Sequence, residues 1–348
     1  EASWADGAAD TAAGRGFASQ VDLSALFVER AAQLVRPGGA ISLLVPAKLW
    51  SALSAGGVRR VLRDTCHVAA LEDWSESRAA FDAVVYPSML VARRGKPSEP
   101  RLTEAAVHRR DRILAWEQEP ATTPLDASPG APWLLMPPEV RASFDLLSGR
   151  GTRLAHSPLG RPMLGVKTGC NDAFIVTPNA GWRETHDATN EPWIVRAGER
   201  EGLIERGLLR PVIRGEDVAA WAVARSAQAL VWTHGADDVA VPRLPAHAAR
   251  WLAPWRRRLQ ARTDAARTTR WWTIFRTESA RPGHPRVVWS DISKVPRATV
   301  LEPGDPTVAI NTCYVASVPT LDDAFAFAAL LNSAPAAAWL CGLAEPAR

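Results

Sequence analysis

The feature that most restricts the fold of this chain is a punctuated stretch near its start. Residues 22–35 are followed by Arg36-Pro37-Gly38-Gly39 and then by Ala40-Ile41-Ser42-Leu43-Leu44-Val45-Pro46. Leu23, Leu26, Phe27, Ala31 and Leu34 fall at helical spacing, and Asp22 has the short acceptor side chain that caps a first turn. A proline followed by two glycines does not extend a helix, so the chain stops and turns there. The apolar run that follows, bounded by glycine and proline, has the composition of a strand buried on both faces of a parallel sheet. The pattern then predicts a helix over 57–64 and strands over 67–73 and 84–93. The short 74–82 connection between those strands favours an antiparallel pair. Helix, strand, helix and closing strand pair describe an α/β first domain over residues 1–96.

The pattern weakens over 97–150, where eight prolines from Pro97 to Pro138 punctuate the chain and Trp116 and Trp133 stand as isolated anchors. This reads as a connecting region with a few strands packed on the first domain. From 151 to 348 short strands and turns alternate. They are joined by a basic helical stretch over 246–262, a strand over 286–289 and a helix over 321–331, an α+β pattern. A length of 348 residues accommodates two domains with their own cores. No apolar run reaches the ~20 residues that a membrane span needs. Residues 1–16 are small and acidic to neutral, unlike a signal peptide, and a first residue of Glu rather than Met suggests a missing upstream part. The four cysteines form no CxxC pair, and no histidines cluster at metal-ligand spacing. Buried free thiols in a cytoplasmic protein, with no metal site, are expected.

The formal net charge is only +4, but it is unevenly placed. Between Arg243 and Arg297, thirteen Arg or Lys stand against three acids (Asp264, Glu278 and Asp291), a local charge of +10. The rest of the chain is therefore near −6. The same segment carries Trp251, Trp255, Trp271, Trp272, Phe275 and Trp289. Cations interleaved with aromatics suit a polyanion that also offers flat bases, with Arg256, Arg257, Arg258 and Arg270 as candidate contacts. The alternative is a solvated helix face in an Arg-rich chain, since only four residues are Lys.

The 22–46 stretch resembles the amino-methyltransferases of restriction–modification and phage-defence systems. Its exit, Val45-Pro46-Ala47-Lys48-Leu49-Trp50, is closer to the DNA adenine branch. There the loop after the fifth strand lies beside the active-site cleft, which makes Pro46 and Lys48 cleft neighbours. A second match is Arg78-Ala79-Ala80-Phe81-Asp82-Ala83-Val84-Val85-Tyr86-Pro87. In the family this loop carries an aromatic that stacks on the flipped adenine, and Phe81 falls at that place. The exocyclic nitrogen is out of reach inside a duplex, so the base must swing out at a cost of a few kcal/mol. A face-on aromatic returns roughly 1–3 kcal/mol of that. The other reading of Phe81 is a plug under the hairpin.

Downstream, Gly165-Val166-Lys167-Thr168-Gly169-Cys170-Asn171-Asp172-Ala173-Phe174 resembles the opening of a target recognition domain in large adenine methyltransferases. So, in family order, do Leu209 through Val218 with Arg214-Gly215-Glu216-Asp217, Trp271-Trp272, Val288 through Ser293, Asn311-Thr312 with Tyr314, and Leu330-Leu331-Asn332-Ser333. Physically, Gly165 to Gly169 reads as a tight turn whose amides hold a phosphate, with Lys167, Thr168 and Asn171 beside it. The spacing is not that of a nucleotide-binding P-loop, which argues against ATP. Arg214 suits a phosphate or a guanine edge, with Asp217 orienting it. For all of these a purely structural turn is the open alternative. Trp271 and Trp272 read as packing more readily than as stacking platforms.

The resemblance implies the C-terminal half of a class I S-adenosylmethionine-dependent (Rossmann-like) methyltransferase sheet, followed by an α+β target recognition domain. It implies a site-specific DNA adenine N6-methyltransferase that moves a methyl group from S-adenosylmethionine to a flipped adenine. Its partner is double-stranded DNA, with other defence-system proteins as further candidates. The family transfers the methyl group at an Asn-Pro-Pro-aromatic motif and holds the cofactor at a glycine loop after the first strand. Neither motif occurs here, so no catalytic residue is assigned and the isolated chain is expected to be inactive. A non-catalytic DNA-binding specificity subunit is the alternative, and a methyltransferase for another substrate class is a third.

Overall fold

The structure, a computed structural model, describes residues 22–77, 86–99, 101–109, 111–151, 154, 157, 159, 161–183, 191–224, 226–235, 237–264, 270–293 and 295–343. The chain divides after Gly151 into two compact units, with the described residues from Trp339 onward counted with the first. Both are mixed α/β structures. Among the described residues no single helix is long and apolar enough to cross a membrane.

In the first unit, helix α1 (Leu23–Leu34) starts at Asp22, whose carboxylate accepts the Ser24 amide at 2.9 Å. It ends before Gly38, which takes a left-handed φ of 79° that glycine adopts without strain. Then follow β1 (Ala40–Pro46), the short α2 (Lys48–Ser51), α3 (Gly56–Thr65), β2 (Cys66–Asp73) and β3 (Pro87–Arg94). Strands β4 (Thr103–His108) and β5 (Ile113–Gln118) and helix α4 (Pro138–Arg150) come from the Pro-rich region. The sheet order is β1-β3-β2-β4-β5. Strand β3 runs antiparallel to both β1 and β2, while β2 and β4 are parallel.

Two expectations are corrected here. Strand β1 is not buried on both faces of a parallel sheet. It is an edge strand, paired antiparallel to β3 alone among the described residues. Its burial alternates, with Ile41 and Val45 inside and Leu44 54% exposed, because successive side chains point to opposite faces and only one face is covered. Helix α1 also turns an unexpected face inward. Ala25, Val28, Glu29 and Ala32 are buried, whereas Leu23, Phe27 and Leu34 are 71%, 74% and 68% exposed. The helix carries two apolar faces, and the smaller side chains face the sheet.

The core of this unit is fastened by Arg59 of α3, which is fully buried. Its guanidinium donates to the carbonyls of Leu49, Ala52, Gly130 and Ala131 at 2.7–2.8 Å. Burial lowers its pKa to about 9, yet four carbonyl acceptors replace the lost water. Trp50 stacks on Trp133, with ring centroids 5.4 Å apart.

The second unit contains β6 (Met163–Leu164), α5 (Asn171–Phe174), β7 (Ile175–Pro178), β8 (Pro192–Ala197), β9 (Arg200–Glu205) and β10 (Leu209–Ile213). After them come β11 (Val218–Ala219), β12 (Ala222–Val223), β13 (Ala229–Val231), α6 (Ala246–Leu252) and α7 (Arg256–Gln260). The chain continues through β14 (Arg286–Ser290), β15 (Ala298–Leu301), β16 (Val308–Ala309), β17 (Cys313–Ser317), α8 (Leu321–Leu331) and α9 (Ala334–Leu343). Six strands form one sheet in the order β16-β10-β13-β7-β8-β9, and four form another in the order β15-β14-β17-β6. The 246–262 stretch is not one helix. A 3-10 turn over Ala253–Trp255 separates α6 from α7, as expected of Pro254, which lacks the amide an α-helix needs. Trp251 is enclosed at the centre of the core, and its indole N–H donates to the Ala173 carbonyl at 3.0 Å.

All four cysteines are free thiols. Cys66, Cys170 and Cys313 are buried as expected, and burial pushes the Cys313 thiol up to about 12. Cys341 departs from the expectation by lying exposed.

Candidate nucleic-acid interface

In the first unit, the two segments assigned to a cleft by resemblance reach the same end of the sheet. Pro46 at the end of β1 lies in register with Pro87 at the start of β3. The Ala47 amide donates to the Tyr86 carbonyl at 2.8 Å, and the Trp74 amide to Pro87 at 2.9 Å. The exit of β1 is therefore stitched to the loop that follows β2. Lys48 pairs with Asp22 at 2.6 Å. That ammonium, with the Ser24 hydroxyl and amide, holds the Asp22 carboxyl down at about 2. Phe81 lies outside the described residues.

At the same end, the Glu72 carboxylate accepts from the Trp74 indole at 2.8 Å and lies 2.8 Å from His108 Nε2. The Trp74 and His108 rings are 4.6 Å apart. This Glu–His–Trp cluster was not singled out in the sequence, because Glu72 and His108 lie on strands whose pairing no local pattern reveals.

In the second unit, blocks that lie far apart in the sequence close around one cleft. Val166 bridges to Ile310, and the Asn311 amide donates to the Val166 carbonyl at 3.0 Å. The Gly215 amide donates to the Thr312 hydroxyl at 3.0 Å, and the Asp291 amide to the Thr312 carbonyl at 2.9 Å. A Cβ on Gly215 would lie 2.5 Å from Ser290 Oγ and 2.6 Å from the Thr312 carbonyl, so only glycine lets these backbones meet. The cleft has a volume of about 530 Å³. Its lining includes Glu216, Val218, Asp291, Ile292, Ser293, Arg297 and Asn311. Beside it, burial raises the Tyr314 pKa, and the negative charge of Asp291 adds to the shift.

The 165–169 turn does its work internally. The amides of Gly165, Val166 and Lys167 donate to Cys313, Ala309 and Phe275 carbonyls at 2.9 Å, so these amides are not available to a phosphate. A Cβ on Gly165 would lie 2.4 Å from two carbonyl oxygens, and Gly169 takes a φ of 66°. Lys167 pairs with Asp264 at 2.5 Å. Thr168 is buried, and its hydroxyl donates to the Asn171 side chain at 2.6 Å. Asn171 itself is exposed. Arg214 is half-buried, with its own amide donating to Asp217 at 2.8 Å.

The basic segment separates into two populations. Arg262 donates to the Thr168, Leu259 and Trp271 carbonyls and sits over the Phe275 ring at 5.2 Å. Arg270 donates to the Ala240 carbonyl, and Arg286 to those of Asp305 and Thr307. These three are structural clamps. By contrast, Arg256, Arg257 and Arg258 project from α7 into solvent. Arg258 pairs with Asp172 at 3.0 Å, and Arg256 lies 5.7 Å from the Trp271 ring. Trp271 and Trp272 pack against the core in a T-shaped pair, and the Trp272 indole donates to the Val241 carbonyl at 3.1 Å. They are packing residues.

No family model matches the chain, and no curated protein does. Among solved structures it is similar to the type IIL restriction-modification enzyme MmeI, determined in complex with DNA. Identity is 12% and the TM-score 0.49, over 91% of this chain and 39% of that one. It is also similar to the type IIG restriction endonuclease BpuSI, at 12% identity and a TM-score of 0.33, over 91% of this chain and 39% of that one. The chain thus spans about two fifths of the length of either. At this identity and these TM-scores, neither likeness carries an assignment.

Proposed function

We propose that this chain is part of a site-specific DNA adenine N6-methyltransferase of a restriction–modification or phage-defence system. The first unit is the back half of its catalytic sheet, and the second is its DNA-reading domain. The observation that carries the reading is the convergence in the second unit. The 209–218, 288–293 and 311–314 blocks, chosen by sequence resemblance, line one cleft, and the 165–174 block pairs with the 309–313 backbone next to it. Independent turns scattered over a surface would have no reason to do so.

The first unit adds support. It has the expected order of helix, strand, helix and antiparallel closing pair, with the β1 exit and the 74–86 loop at one end. Its outer edge at β1 and the apolar face of α1 are placed to receive further strands and helices of a catalytic sheet. The described residues do not fit a site for S-adenosylmethionine. The amides of Gly38, Gly39 and Gly95 are bonded to the Arg94, Arg36 and Thr65 carbonyls, which leaves none of the three free to cradle a cofactor. No chemical step is therefore derived for the cofactor here. The role assigned to this chain is to hold and read double-stranded DNA while a further part of the enzyme transfers the methyl group.

The test is duplex binding as a function of salt. Contact with about six phosphates lowers affinity by roughly a thousandfold between about 50 and 200 mM salt. The pair Arg256→Ala and Arg257→Ala should flatten the log–log slope by about two phosphate contacts. Salt-insensitive binding, or none, would remove the DNA reading.

A further inference from the structure

One tryptophan of the second unit differs from the others in backbone and in exposure. Strands β11 and β12 pair Val218 with Val223 and Ala219 with Ala222, so Ala220 and Trp221 form a two-residue turn. Trp221 takes a φ of 65°. The second position of such a turn normally falls to glycine or asparagine, because a Cβ is crowded there. Its side chain is 53% exposed. Every other tryptophan among the described residues is buried or half-buried. Those partly buried ones pack on a core, stack on another ring or donate an indole N–H, whereas among the described residues no ring, cation or hydrogen-bond contact engages the Trp221 indole.

The tip is nonetheless held in place. The Trp221 amide donates to the Ala298 carbonyl at 2.9 Å, at the start of β15. The residue before it, Arg297, is exposed and lines the cleft described above, as do Val218 of the same hairpin and Ile292, which is 74% exposed. A half-exposed tryptophan on a strained, anchored turn is therefore tied to the residue next to Arg297, which lines a cleft with a cationic and apolar rim. Glu216 and Asp291 also line that cleft. Carboxylates repel a phosphate backbone but accept from exocyclic amino groups of bases, so base edges fit there better than phosphates do.

We propose that Trp221 is a base-stacking wedge, entering DNA at a step that is unstacked in the complex, with Arg297 meeting the neighbouring phosphate. Apolar wedges of this kind unstack a step in exchange for added contact, and an indole face suits any base. The inference rests on the DNA reading of the second unit.

The experiment uses the full chain and a mixed-sequence duplex carrying one unpaired 2-aminopurine. The wild type should bind and quench the fluorophore. Trp221→Ala should bind about tenfold more weakly and lose the quench, while Trp221→Phe retains most of both. Trp221→Gly relieves the left-handed backbone and should melt at or above the wild-type temperature while binding as poorly as Trp221→Ala, which separates lost contact from lost fold. If wild type and Trp221→Ala bind the duplex equally and quench equally, the wedge is wrong and the DNA reading stands. A protein partner for the tip would give that same result. If the wild type shows no salt-sensitive binding to any duplex, both fall together.

Discussion

The two units solve the problem of burying apolar surface differently. The second encloses its largest side chains, and Trp251, Phe174 and Phe327 are shut inside. The first leaves Leu23, Phe27 and Leu34 on one helix and Leu44 on an adjoining edge strand in contact with water. An exposed apolar helix face, and a strand edge that no other strand pairs among the described residues, are the kinds of surface that another element covers. The difference is one of arrangement: the first unit gathers Leu23, Phe27 and Leu34 on one helix, whereas Trp221, Val239, Ile292 and Leu330 of the second are exposed on separate segments. Arginines fasten both units from within, Arg59 in the first and Arg286 in the second, and α7 turns three more toward solvent.

The sharpest way to break this comparison is to unfold the units separately. Arg59→Ala strips four buried carbonyls of their donor and opens a cavity, and should cost about 3–5 kcal/mol. Chemical denaturation followed by hydrogen exchange should show the first unit's strands losing protection while β7, β10 and β13 keep theirs. Equal losses in both would mean that the units do not unfold independently. Gly165→Ala is the mirror experiment. Its new methyl meets the Ala309 and Ile310 carbonyls, so about 2–3 kcal/mol should be lost from the second unit alone.

A smaller effect is expected from pH. The Asp22 carboxyl falls from its ordinary 3.8 to about 2 in the folded chain. A lowered pKa means stability that is fully present above about pH 4 and lost as pH falls through about 2. The site is partly exposed, so screening leaves at most about 1 kcal/mol. A Lys48→Met variant should lose most of this acid sensitivity, read as the pH dependence of the melting temperature. Smallest in stability is the pair Phe27→Ser and Leu34→Ser, which should change folding by no more than about 0.5 kcal/mol. Its effect should appear instead in sedimentation, as reduced self-association at high concentration. Unchanged association would mean that the exposed face of α1 is not sticky.

Much of the first unit was legible because its signals are local. The Asp22 cap, the Pro37-Gly38 stop and the short 74–82 connection each act within a few residues, and α1, β1, α3 and the β2–β3 pair follow from them. Which face of α1 is covered was not legible, since Leu23-Phe27-Leu34 and Ala25-Val28-Ala32 are both apolar stripes and only tertiary packing chooses between them. That only one face of β1 is covered was hidden for a similar reason, as an apolar run does not state which of its faces is packed. In the second unit the charge count read thirteen cations as one surface. Arg262, Arg270 and Arg286 spend their donors on carbonyls that lie dozens of residues away or across turns, which no sequence window contains. Trp221 escaped notice because its distinction lies in a positive φ and in exposure, not in its neighbours.

The measurement that tests the account most directly is the coding sequence immediately upstream of Glu1 in the native gene. The account predicts an in-frame glycine-rich loop and an Asn-Pro-Pro-aromatic motif, which would supply the strands that cover β1 and α1. A start codon at or near Glu1, with neither motif, would contradict it and leave a non-catalytic DNA reader in its place.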